Sequence, residues 1–203
     1  MLDIHTFAQL TRNPSITDIS LKMLQDYYDH YLLNNTYEYH LQDGQTIEVP
    51  FKEKDLCHLL GIKKLVEGTI HSSQLINYYG EKGYQNIKDG TLDFAALRNI
   101  GKKRFNFSKD KWVFFFLVHR MAEAPHNNIF VEFAPKEGSR VPVKFLVYDV
   151  CENAVAHLGI NYNEEKKVWF PQSYMTERIN QTSDGMSLIT GKDTIGVEKV
   201  RKK

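Results

Sequence analysis

Apolar residues recur every three or four positions early in the chain, at Ile19, Leu21, Leu24, Tyr27, Tyr28 and Tyr31. That period is helical, so the pattern predicts a long helix over residues 17–34, capped by Thr17 or Asp18 and stopped by Asn34-Asn35. The period then falls to two. Thr36–Gln42 and Thr46–Phe51 alternate apolar with polar side chains around Asp43-Gly44, which predicts a hairpin. Pro50 cannot donate to a ladder, so the second strand ends there or lies at a sheet edge. A short helix follows between Phe51 and Ile62, with Gly61 as its stop.

Residues 63–107 read as short helices and loops punctuated by Gly68, Gly80, Gly83, Gly90 and Gly101, with one helix from Asp93 to Asn99. Ser108 is placed to cap a second major helix through about Ala124, ended by Pro125. Its centre, Trp112–Val118, is apolar all round and also fits a buried strand; length and the Ser-x-Asp start favour a buried helix. Beyond it, Asn128–Phe133, Val143–Tyr148, Ala154–Ile160, Lys167–Phe170 and Thr194–Val200 read as a β meander. Turns fall at Glu137-Gly138, Asp149–Asn153 and Tyr162–Lys166. The expected class is α+β: N-terminal and inserted helices packed on a C-terminal antiparallel β-sheet, in a single domain over residues 1–203.

Composition narrows the function classes. A length of 203 residues allows a proper core, and a 42% hydrophobic, 25% charged content is that of an ordinary globular chain. A net charge of +1 supplies no global field toward nucleic acid or anionic lipid, so such binding would rest on local patches. The candidates are Lys102-Lys103-Arg104 with Lys109 and Lys111, and the tail Lys199, Arg201, Lys202, Lys203; each reads first as solvated surface. Cys57 and Cys151 have no zinc-type or CxxC spacing, and the chain opens without a signal-like segment. The longest apolar run is far short of the ~20 residues that span a bilayer. A cytoplasmic protein without membrane attachment is expected.

Chemistry-bearing motifs are few. HExxH, paired Cys/His spacing, a glycine-rich phosphate loop and GxSxG are all missing, so neither a metal nor a cofactor is expected. His119 and His126, seven apart, with Asp149 and Glu152 near a turn, make only a weak metal set. Two constellations remain. His58 lies off the leucine side formed by Leu56, Leu59 and Leu60, so it can project from a helix edge; the plainer reading is a partly buried histidine bonded to a carbonyl. Lys63 and Lys64 follow Gly61 and can face the same groove, although adjacent lysines are usually surface. In Trp169–Met175, a strand ending at Pro171 would release Gln172, Ser173 and Tyr174 as a polar contact, a hydroxyl and a stacking face, with Arg178 as a cation. The plainer reading makes Ser173 a turn cap and Arg178 solvated. His157 alternates away from Ala156 and Leu158, toward an open sheet face or beneath a helix.

The order of these pieces resembles a phage-associated branch of the barnase–EndoU–colicin–RelE nuclease superfold. The likeness rests on a hairpin leading into Phe51-Lys52-x-x-Asp55-Leu56-x-His58-Leu59-Leu60-Gly61-Ile62, then Val143-x-Phe-Leu-Val-Tyr-Asp149, Leu158-Gly159-Ile160 and Trp169-Phe-Pro-x-Ser173-Tyr174. It implies a helix on a four- or five-stranded antiparallel sheet and metal-independent RNA cleavage by a toxin or phage-defence enzyme, with RNA as substrate and an inhibitor or host protein as a possible partner. By position the resemblance makes His58 the acid/base, and Ser173 a phosphate or 2′-hydroxyl contact. Lys63, Lys64 or Arg178 would stabilise charge, with Gln172, Tyr174 and Tyr148 on the substrate. Imidazole suits proton exchange because its ordinary pKa of ~6.5 lies near neutrality. The contrasting expectation is a non-enzymatic module that docks on a host protein through Tyr27, Tyr28 and Tyr31.

Overall fold

The computed structural model describes residues 1–133 and 143–203; the expected turn at Glu137-Gly138 lies outside the described residues. The chain forms two compact units, one from residues 1–33 and 52–116, the other from 34–51 and 117–203.

The first unit is helical. After α1 (Ile4–Ala8), whose start is capped by Asp3, residues Ile16–Asp18 make one tight 3-10 turn. The long helix α2 spans Leu21–Tyr31, later than expected, because Ser20 and not Thr17 or Asp18 caps it, its hydroxyl accepting from Met23 N at 3.1 Å. Asp18 instead turns back to Ser15 N at 3.1 Å. Helix α3 (Glu53–Leu59) starts where the Asp55 carboxylate accepts from Lys52 N at 2.9 Å, and burial pushes that carboxyl up to about 6. Gly61 takes φ 71°, which ends α3 and opens α4 (Ile62–Val66). After a 3-10 stretch at Ser72–Tyr78 come α5 (Gly80–Lys88) and α6 (Phe94–Val113), the latter kinked at Gly101.

Helix α6 corrects the expected one-piece helix from Ser108. Ser108 sits inside it, donating to Arg104 O at 3.0 Å, while Asp93 is the cap, accepting from Ala96 N at 2.7 Å. The chain turns at Phe114–Phe116, whose three rings are fully buried. The Phe116 carbonyl is taken by the Tyr27 hydroxyl at 2.9 Å, so tertiary packing breaks the helix that local pattern would continue. The aromatic run is neither a strand nor a helix centre.

The second unit is a seven-stranded, wholly antiparallel sheet in the order β2-β1-β7-β3-β4-β5-β6. Its strands are β1 (Thr36–Leu41), β2 (Thr46–Pro50), β3 (Ile129–Glu132), β4 (Phe145–Cys151), β5 (Ala154–Asn163), β6 (Val168–Arg178) and β7 (Thr194–Lys202). The sheet is therefore not purely C-terminal. The last strand returns to the centre, joining the N-terminal hairpin to the meander, and the edge strands β2 and β6 approach each other, so the sheet curls. Helix α7 (Leu117–Glu123) packs on β4, β5 and β7, pinned where the Tyr39 hydroxyl donates to Ala122 O at 2.7 Å. Pro50 ends the edge strand β2, as its missing donor requires. The basic tail stays exposed but runs along strand β7 and its end: Lys203 pairs with Glu38 and Glu48, and Lys202 with Glu123 at 2.9 Å.

On the sheet face carrying Leu146, Tyr148, Val155 and His157, a covering segment contributes Ile179, Met186, Leu188 and Ile189. Beneath it His157 is fully buried, its Nε2 3.2 Å from Glu177 Oε2, an ion-pair distance without an aligned hydrogen bond. Of the two expected settings, it lies under cover, but the cover is this segment and not a helix. Burial holds His157 below its ordinary value, although Glu177 pulls the other way. The folded state therefore favours neutral imidazole: this contribution is complete above the unfolded value of ~6.5 and is lost as pH falls below it. Urea midpoints are expected to drop between pH 7.5 and 5.5, and His157→Gln should flatten that slope. An identical slope in the variant would contradict the assignment.

Candidate active site

The residues proposed from sequence fall in both units. On the helical unit, α3 buries Leu56, Cys57 and Leu59 and leaves His58 exposed, as the leucine pattern implies. Lys64 is exposed; Lys63 is half-buried, its ammonium 5.1 Å from the centre of the Tyr79 ring. On the sheet unit, strand β6 does not end at Pro171. It runs on to Arg178, and the register slips between Gly159↔Ser173 and Ile160↔Pro171, so Gln172 is the extra residue of a bulge on an edge strand. A proline tolerated at a bulge explains why the motif looked like a strand end.

That geometry sets the surroundings of the expected contacts. Ser173 Oγ is buried with no hydrogen-bond partner among the described residues, against Gly159, where an added Cβ would come within 2.6 Å of it. Tyr174 is fully buried, so its ring packs in the core instead of offering a stacking face. Arg178, partly exposed, donates to Asn153 Oδ1 at 3.0 Å and so fastens the β4–β5 turn. The tyrosine docking surface is also corrected. Tyr27 and Tyr28 are fully buried, and Tyr28 donates to Lys52 O at 2.8 Å; only Tyr31 of the three is half-exposed.

A different cluster forms beside the outer half of β4. Strand β3 pairs with β4 only at Phe145 and Leu146, so the chain before β3 lies alongside the later β4 residues. There the His126 ring stands 4.9 Å from the Tyr148 ring, and its Nδ1 is 3.9 Å from Asp149 Oδ1. About a third of the His126 side chain and a quarter of the Asp149 side chain remain accessible to solvent. Behind His126, residues Asn127 and Asn128 both take left-handed conformations, φ 56° and 51°, which asparagine tolerates better than most side chains and which fix the ring's approach. Burial raises the Asp149 carboxyl above its ordinary value, while the charges of His126 and of Arg120, on α7, oppose the rise. Asp149 Oδ1 also accepts from Val150 N at 2.8 Å.

Sequence reasoning noticed His126 and Asp149 only as a weak metal set and missed Arg120. The available signal was Pro125-His126-Asn127-Asn128, a tight turn directly before a strand. Among the described residues, no group of three or more His, Cys, Asp or Glu side chains is placed to hold a metal ion, and no helix is long and apolar enough to cross a membrane.

A curled antiparallel sheet packed on a helix is an α+β arrangement consistent with barnase–EndoU–colicin–RelE-like nucleases. The chain belongs to the family described as phage-Barnase-EndoU-ColicinE5/D-RelE like nuclease 4, which matches residues 21–200. No curated protein and no solved structure matches it significantly.

Proposed function

We propose that the chain is a metal-independent ribonuclease of toxin or phage-defence type, with its acid–base chemistry at Arg120, His126, Tyr148 and Asp149. The observation that supports this most is the half-exposed His126 ring, 3.9 Å from a carboxylate that burial makes more ready to take a proton. Asp149 takes the proton of the 2′-hydroxyl, whose oxygen attacks the adjacent phosphorus. The bond to the 5′-oxygen breaks, and His126 in its protonated form donates to that leaving oxygen. The products are a 2′,3′-cyclic phosphate and a 5′-hydroxyl, and Asp149 and His126 exchange protons with water to reset. Arg120 offers the fixed cation for the phosphorane charge. Tyr148, almost buried, positions the imidazole through ring contact.

In this reading Ser173, Gln172, Tyr174 and Arg178 maintain the shape of β5 and β6. His58, with Lys63 and Lys64, is the competing location, on the helical unit. The test is incubation of the purified protein with RNA in excess EDTA. Cleavage leaving cyclic-phosphate ends is expected, and RNA carrying 2′-O-methyl groups should stay intact. No cleavage in EDTA, or products bearing 5′-phosphates, would sink the proposal.

A further inference from the structure

The helical unit carries a basic pocket of about 540 Å³ whose lining includes Lys64, Arg104, Lys111, Phe107 and Gly61. Three of the lining residues are cations and one, Glu67, is a carboxylate. The cations are not equivalent. Lys64 is exposed at the rim. Arg104 is braced by donating to the carbonyls of Leu65 and Glu67, which end α4. Lys111 lies deepest, its ammonium so close to the backbone of Gly61 that an added Cβ there would meet Nζ at 3.2 Å.

Lys111 makes no ion pair among the described residues, although its side chain is largely enclosed. Burial first, and the neighbouring Lys64 charge second, pull its ammonium down to about 8. An enclosed cation facing another cation is costly unless an anion joins it. Beside this cluster Phe107 is 77% exposed, an aromatic side chain that the core does not use. Basic groups around an exposed ring are the elements of a single-strand site, where cations hold the backbone and the ring stacks a base.

We propose that this pocket binds a backbone phosphate of a single-stranded nucleic acid between Lys111, Lys64 and Arg104, with a neighbouring base stacked on Phe107. The proposal does not depend on cleavage at the His126 cluster.

The test uses the full chain and a fluorescein-labelled, fully 2′-O-methylated RNA oligonucleotide. That probe lacks the nucleophile, so binding is read even if the chain has no nuclease activity. Fluorescence anisotropy should show Phe107→Ala weakening binding about tenfold, the scale of one lost base stack. Lys111→Met should weaken it at least as much and lower the salt slope by about one. Lys64→Gln, at the exposed rim, supplies a variant with little risk to folding. Unchanged affinity in Phe107→Ala and Lys64→Gln would overturn the proposal. So would AMP or inorganic phosphate competing as well as the unlabelled oligonucleotide, since the site would then hold a free phosphate compound and not a strand.

Discussion

His126→Ala is expected to lower RNA cleavage by about 10²- to 10⁴-fold while leaving the protein folded. On the barrier scale this is roughly 3–5 kcal/mol, the range for loss of a positioned acid or base. The fold should survive because the His126 side chain is a third exposed, and Tyr148, which its ring touches, stays held in the core by its other neighbours. Asp149→Asn removes the proton acceptor with little change of shape and should fall into the same range. The double variant should cost far less than the product of the two, because the groups act on one transition state. Two further variants locate the site. Ser173→Ala deletes a buried hydroxyl that has no partner among the described residues, so it should leave both cleavage and stability near wild type. His58→Ala should change cleavage by no more than about the tenfold that separates indirect effects from loss of a positioned acid or base. If His58→Ala abolishes cleavage and His126→Ala does not, the chemistry belongs to the helical unit and the assignment is wrong.

What the sequence revealed follows from how local each determinant is. The hairpin at Thr36–Pro50 was legible because alternation and Asp43-Gly44 act within a few residues. The exposure of His58 was legible because one helical turn decides it. Two features depend on partners distant in the chain and depart from the local pattern. The central place of β7 rests on pairing with β1, more than 150 residues earlier, as in Glu38↔Arg201. The break at Phe114–Phe116 rests on Tyr27 and on burial of all three rings. At Pro171 local chemistry points to a strand end, because a proline stops a ladder, whereas a bulge opposite Gly159 and Ile160 absorbs it. The candidate site suffered most. His126 and Asp149 are more than 20 residues apart, and the two are neighbours only because β3 leaves the outer half of β4 uncovered. Lys111, expected on a solvated face, is enclosed because a glycine with positive φ at position 61 lets its ammonium approach the backbone.

Trp112→Ala is expected to be the most destabilising single substitution considered, by about 3–5 kcal/mol. The indole is fully buried, stacked on Phe94 at 4.7 Å and edge-on to Phe105 at 4.9 Å, so deletion opens a cavity lined by rigid rings that cannot collapse far. Its Nε1 donates to Leu60 O at 3.0 Å, and loss of that donor orphans a buried carbonyl just before Gly61. Trp112→Phe separates the two costs: it keeps most of the packing and loses the hydrogen bond, so about 1–2 kcal/mol should remain. Urea unfolding followed by far-ultraviolet circular dichroism measures both variants. Of the two tryptophans, the other is Trp169 on β6, so in Trp112→Ala the indole fluorescence reports the sheet unit alone. A loss below about 1 kcal/mol in Trp112→Ala would mean that the helical core repacks freely. The Leu60 carbonyl would then not be what fixes the backbone at Gly61, and the enclosure of Lys111 would need another cause. A loss in the expected range, with oligonucleotide binding weakened beyond what the unfolded fraction accounts for, ties the aromatic core of α6 to the basic pocket through a single carbonyl.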